Sequence, residues 1–220
     1  MLALAALALA THLAAAPPSD ELRHPVSGRV IAPVMSYEGA EWLERPERES
    51  EEQPSKAIKA LGIGPGQVVA DVGAGSGYYT VRLAKQVGRT GQVYASDIQP
   101  EMIVHLQRRL ERERIENVEV VQATEINPRL PEGRFDLILM VDVYHELSQP
   151  QEMLRRLRTA LKPDGRLVLI EYRKESPWVP IREEHKMSVK EARMELEAEG
   201  YRFDRVIDVL PWQHILVFRP

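Results

Sequence analysis

The sequence predicts an α/β fold: a mostly parallel sheet with helices on both faces and an antiparallel strand at its C-terminal end. Three observations carry this. From residue 56 onward, short apolar runs alternate with helix-like segments, the pattern of strand–helix–strand units. The first apolar run, VVADV, passes directly into a glycine-rich bend, GAGSG, and then into a helix-like segment. At the C-terminus, YRFDRVIDVL and QHILVFRP are two strand-like runs joined only by Pro211 and Trp212, a link so short that it demands an antiparallel pair.

Taken along the chain, the strands are expected at 67–72, 92–96, 118–122, 135–141 and 166–171, followed by the C-terminal pair. Helices are expected at 54–61, 77–87, 100–114, 150–161 and 188–199. LKPDGRLVLIEY reads as a helix exit, a Pro/Gly turn and a strand. Ser188 and Glu191 have the spacing of a capping box at the start of the last helix.

Two segments precede this domain of 56–220. Residues 1–18 open with MLALAALALATHLAAA, an Ala/Leu run too short for a stable membrane span. It resembles the apolar core of a signal peptide, with Ala8-Leu9-Ala10 as a small-residue cleavage site, although no Lys or Arg precedes it. Export or tethering is one expectation; a cytoplasmic protein with an Ala-rich helix is the other, and Pro17 and Pro18 end the run in both. Residues 19–55 are rich in charge and proline with scattered hydrophobes, and read as an arm with one short helix near 38–51. So few hydrophobes predict a lid over the core rather than a part of it, so that the domain from 56 folds without it.

The 220 residues suffice for one domain with a sizeable core. A net charge of −4 argues against a nucleic-acid partner, which needs a basic footprint. The absence of cysteine excludes disulfides, zinc thiolates and cysteine nucleophiles. Oligomeric state is not encoded in any pattern seen here.

The glycine bend places backbone amides at a ligand, and glycine permits positive φ and close approach there. Asp97 ends the next strand, twenty residues after Gly77, where an acid can bond two ribose hydroxyls. NAD and S-adenosylmethionine (SAM) sites share both features, and three details separate them. The spacing is Gly73-x-Gly75-x-Gly77, with Tyr78 where a dinucleotide fingerprint wants glycine. Asp71 stands before the bend, where a carboxylate suits a ligand with a positive amino-acid end and poorly suits a pyrophosphate. The C-terminal hairpin is foreign to a plain dinucleotide fold.

On these segments the chain resembles the class I SAM-dependent methyltransferases, over residues 56–220. VADVGAGSGYYTVRLA looks like the family's first motif, VYASDIQPEMI its second, VVQATEINPRLPEGRFDLILMVDVYHEL its third and fourth, and LRTALKPDGRLVLIEY the approach to its fifth strand. The resemblance implies a Rossmann-like, seven-stranded sheet with its last strand antiparallel. It implies SAM as cofactor, S-adenosylhomocysteine as product and a small-molecule methyl acceptor. Implied cofactor contacts are Asp71, Gly73, Ala74, Gly75, Gly77, Tyr78, Asp97 at the ribose, Ile98 and Met102 beside the adenine, and Asp142. Where the family often has an adenine-binding aspartate this chain has Gln122, with the backbone of Ala123 beside it.

Asp142, Tyr144 and His145 follow the fourth strand, whose carboxyl end should face the cofactor. His145 is a candidate general base with Asp142 beside it, and packing is its alternative role. His185, in the loop after the fifth strand, is a candidate for substrate contact or catalysis. Tyr37 and Trp42 on the arm, with Tyr79 and Tyr144, are further substrate candidates. DVYHE gathers Asp, His and Glu, but no second histidine sits at helical spacing, so no metal is expected. Two other functions remain open from sequence: a SAM-binding protein without catalysis, and an NAD-dependent oxidoreductase.

Overall fold

The computed structural model describes residues 21–220; the Ala/Leu run lies outside them. Seven strands form one ladder: β1 (Val68–Val72), β2 (Gln92–Asp97), β3 (Val118–Gln122), β4 (Phe135–Val141), β5 (Leu161–Arg173), β7 (Arg202–Ile207) and β8 (Gln213–Arg219). Their order is β3-β2-β1-β4-β5-β8-β7, and a two-residue strand, β6 (Lys186–Met187), pairs with β5 off this path. Only β8 runs antiparallel, to both β5 and β7. The expected mostly parallel α/β sheet, with helices on both faces, is present. Strand order reverses between β1 and β4, so a crevice opens outside their carboxyl ends.

The expected helices appear as α3 (Pro54–Leu61), α4 (Tyr78–Val87), α5 (Pro100–Glu113), α6 (Pro150–Ala160) and α7 (Val189–Ala198). α3, α5 and α6 each begin with Pro, whose missing N–H is no loss at a helix start. Ser188 and Glu191 form the capping box of α7. Side-chain alternation along the strands divides the core. Ala70, Ile138, Met140, Leu167 and Leu169 pack on one face, and Val69, Leu137, Leu139, Val168 and Ile170 on the other. Among the described residues no helix is long and apolar enough to cross a membrane.

Three elements differ from the sequence reading. The helix expected near 38–51 is broken into a 3-10 turn (Tyr37–Gly39), α1 (Ala40–Leu43) and α2 (Arg48–Glu51), with Pro46 in the gap, where it supplies no helical amide. β5 starts at Leu161, not 166, because the PDG turn is taken up as a register shift opposite Phe135 and Leu137. β6 was not expected, since two residues carry no periodicity.

The arm is anchored to the core by polar groups, which a count of hydrophobes does not register. Arg29, buried, pairs with the fully buried Glu195 of α7 at 2.8 Å. Ser27 donates to the same carboxylate, and the Arg29 guanidinium lies 5.4 Å from the centre of the Tyr144 ring. Further on, Arg45 and Arg48 both pair with buried Glu52, which also accepts the Tyr172 hydroxyl of β5 at 2.9 Å. Removing one partner of a buried pair strands the other charge. Arg29→Met is therefore expected to lower unfolding free energy by about 3–5 kcal/mol in urea titration. A loss below about 0.5 kcal/mol, the range of an ordinary surface change, would show that the arm is not held by this pair.

Candidate active site

The crevice holds a cavity of about 520 Å³. One end is made by the glycine bend. Gly73 and Gly75 adopt positive φ, 74° and 53°, and turn the chain back across the end of β2. The Gly73 and Ala74 amides bond the Ser96 carbonyl, and the Gly75 amide donates to Asp97 Oδ2 at 2.8 Å. Asp97 Oδ1 accepts the Gln99 amide at 2.9 Å. Burial pushes the Asp97 carboxyl up, against the amides of Gln99, Gly75 and Ile98, which favour its ionised form.

The walls carry polar atoms that no group among the described residues satisfies. Ser96 Oγ and Asp142 Oδ1 are buried, without partners, on residues that line the cavity. Asp142 sits at φ 53°, a left-handed conformation rare outside glycine, and its Oδ2 accepts Gln213 Nε2 at 2.6 Å. Burial, then Glu52 and Glu171, hold its carboxyl well above the usual range. Burial also pushes Glu146 up, to about 7.

At the other end, His145 and His185 meet. His145 Nδ1 lies 2.6 Å from the buried carboxylate of Glu171, and His145 Nε2 lies 3.1 Å from His185 Nδ1. Glu171 also accepts the Tyr144 amide at 3.0 Å. An ionised Glu171 assigns the proton to His145 Nδ1 and leaves Nε2 as a lone pair. The Glu146 carboxylate is 3.7 Å from both imidazoles. The arm fixes His145 from behind: its carbonyl accepts the Ala32 amide at 3.1 Å and Arg29 at 3.0 Å. Burial and the neighbouring His145 push the His185 imidazole down.

Of the residues expected from sequence, Trp42, Gly73, Gly75, Asp97, Ile98, Met102, Ala123, Asp142, His145 and His185 line this cavity. Others stand elsewhere. Asp71 lies beneath the bend, fully enclosed, with its Oδ2 accepting Thr80 Oγ1 at 2.6 Å, and it braces the loop from below. Ala74 packs on α5 residues, and Gly77 caps α4 at φ 83°. Tyr78 faces Arg48 and Arg82 at 4.4 and 3.7 Å from its ring and does not line the cavity. Gln122 ends β3 outside the wall that Ala123 forms. Tyr79 and Tyr144 are core residues, because each side chain points into an apolar cluster. Tyr37 is exposed and its amide donates to Gln99.

Sequence reasoning missed Arg48 and Glu171, and the sequence offered Glu146 only as a neighbour of His145. Arg48 lines the cavity from the arm. Glu171 had a signal: it is a lone acid in the apolar run LVLIEY. The absence of a second histidine at helical spacing did not hold in space, since His185 comes from a loop forty residues on.

The Methyltransf_12 family, described as a methyltransferase domain, matches residues 70–167. A crystal structure of a SAM-dependent methyltransferase from Aquifex aeolicus is similar, with TM-score 0.79 and 32% identity over 84% of this chain and 98% of that one. The ubiquinone/menaquinone biosynthesis C-methyltransferase UbiE of Ectopseudomonas mendocina (strain ymp) is 33% identical over 118 residues, 53% of this chain. The chain spans about half the length of such curated relatives, 46% in that case. The [4+2]-cyclase SpnF shares the fold, at TM-score 0.64 and 15% identity.

Two outcomes follow from the bend. A Cβ on Gly73 would stand 2.4 Å from Val143 Cγ2, at a φ that side chains resist. Gly73→Ala is expected to weaken ligand binding and lower the melting temperature, with Val143→Ala restoring part of both; no rescue would place the strain elsewhere. Burial, opposed by the Thr80 bond, lifts Asp71 from 3.8 to about 6. The folded chain thus binds the extra proton, and stability falls as pH rises from about 4 to 6. Asp71→Asn does not titrate, so its stability relative to the parent should rise by about 2–3 kcal/mol across that window in paired urea titrations. Parallel pH profiles for the two would contradict a raised Asp71.

Proposed function

The chain belongs to the class I SAM-dependent methyltransferases, and we propose that it transfers the methyl group of SAM to a small-molecule acceptor seated at the His145 end of the cavity. The observation that carries this is the continuity of one cavity from the Gly75–Asp97 bracket to the His145–His185 pair. The residues present fit SAM. Asp97 offers an ionisable carboxylate at the end of β2 for the ribose hydroxyls, with Ile98 and Met102 as apolar neighbours for the adenine. The glycine bend admits close backbone approach. The unpartnered Asp142 Oδ1 suits a cationic group, and Arg48 lines the same cavity as a counter-charge for a carboxylate.

When bound, SAM supplies a methyl group activated by a sulfonium, so the protein needs no covalent nucleophile. What the residues contribute is alignment and the exclusion of water. The cavity is also lined by Val34, Met35, Leu43, Leu147 and Ile181, which favours a mainly apolar acceptor. His145, held by Glu171 and bonded through Nε2 to His185 Nδ1, forms with His185 a pair suited to receive a proton from an acceptor hydroxyl or acidic carbon. The name C-methyltransferase borne by the Ectopseudomonas relative supports carbon as the acceptor atom. The arm residues Trp42 and Leu43 close one wall, which supports a covering role for that segment.

Isothermal titration is expected to show binding of SAM and S-adenosylhomocysteine and none of NADH. Asp97→Ala removes hydrogen bonds to a charged group worth about 1.5–3 kcal/mol each, so SAM affinity should fall at least about tenfold. Unchanged affinity would remove Asp97 from the site. A screen with methyl-tritiated SAM should find label moved to an apolar acceptor carrying one ionisable group. SAM binding without transfer to any acceptor would favour a binding protein on this fold.

A further inference from the structure

The acceptor end of the cavity has the donor set of a metal site as well as that of a proton acceptor. His145 Nε2, His185 Nδ1 and a Glu146 oxygen stand 3.1, 3.7 and 3.7 Å from one another. Donors bonded to one cation at about 2.0–2.2 Å stand about 3.0–3.5 Å apart, so a small rotation of Glu146 brings all three within bonding distance of one point. The three residues are the group among those described whose ligand atoms converge in this way.

The independent observation is Glu171. A metal-ligating histidine almost always donates its other ring N–H to a carboxylate or carbonyl, which fixes the tautomer and makes the ligating nitrogen more basic. His145 does this at Nδ1, 2.6 Å from a carboxylate with no exposed surface. The same carboxylate is held by the Tyr144 amide, and the His145 carbonyl by Ala32 and Arg29. So rigid a mount for one imidazole is more than packing requires. Glu146 is largely buried and has no Lys or Arg partner among the described residues; its carboxyl faces two imidazoles.

We propose that His145, Glu146 and His185 bind one divalent transition ion, with Glu171 orienting His145. Two nitrogens and one carboxylate with no thiolate suit zinc or iron(II). The three ligands lie at the wall, so the remaining positions face the cavity. An ion there would hold an acceptor oxygen or nitrogen as its anion at neutral pH. That role rests on the proposed methyl transfer; the binding of the ion does not.

The test is zinc titration of the untagged full chain after chelator treatment, by calorimetry and by metal analysis of the dialysed protein. One ion per chain is expected. His185→Ala and Glu146→Gln should each weaken binding at least about a hundredfold, and Glu171→Gln about 10–100-fold. His105→Ala, an exposed histidine on α5, should leave it unchanged. His185 ends a short 3-10 turn (Glu183–His185) and is partly exposed, so its variant should fold, and circular dichroism of each variant checks this. No saturable binding below about 100 μM zinc, or equal binding by His185→Ala and Glu146→Gln, would overturn the site and leave a proton-bridged histidine pair. SAM titration of the same chelated samples is a separate readout: its failure would refute the methyltransferase reading and leave a measured ion in place.

Discussion

Asp97 is the joint on which the site depends. Its two carboxylate oxygens accept the amides of Gly75 and Gln99, so one side chain holds the end of β1's bend to the start of α5. The constraint is electrostatic as much as geometric. A carboxylate removed from water resists ionisation, and these amides are what make its charged form tolerable there. The bend must in turn pass close to Val143, which leaves room for glycine alone at position 73. Thr80 and the buried Asp71 brace the bend from beneath.

The opposite end is built on a second buried carboxylate, Glu171, and reached by a different route. β5 carries Glu171 to the edge of the crevice, and the turn after β4 lays His145 against it. The arm then holds His145 through its carbonyl, while Arg29 is itself fixed by Glu195 of α7. Arm, sheet and last helix therefore converge on one imidazole. A residue whose backbone and side chain are both restrained, facing an open cavity, is preorganised for a task in which small displacements matter.

The parallel strands and their helices were legible because each is an apolar run bounded by turn residues, and the helices begin at Pro, at the glycine bend or at a capping box. The glycine bend and Asp97 were legible because their spacing is local. What escaped had no local pattern. Arg29 and Glu195 lie 166 residues apart and carry no periodicity that links them. The broken arm helix follows from Pro46, which a weak hydrophobic pattern concealed. Tyr144 was placed in the cleft by its position after β4, yet its neighbour turned toward the cavity and Tyr144 into the core. Asp71 was read as a ligand contact because it precedes the bend; a strand alternates its faces, and that side chain shares the face of Val69, where Thr80 of α4 meets it. His185 joins His145 only through the path of a loop, which no sequence spacing reports.

The central claim is that one cavity holds SAM at Asp97 and an acceptor at His145. A crystal structure of the chain with S-adenosylhomocysteine tests it most directly. The expected density places the ribose hydroxyls within hydrogen-bond reach of the Asp97 carboxylate, the adenine between Ile98 and Met102, and the sulfur on the side of the cavity that leads to His145. Nucleoside density away from Asp97, or a sulfur walled off from His145 and His185, would contradict it.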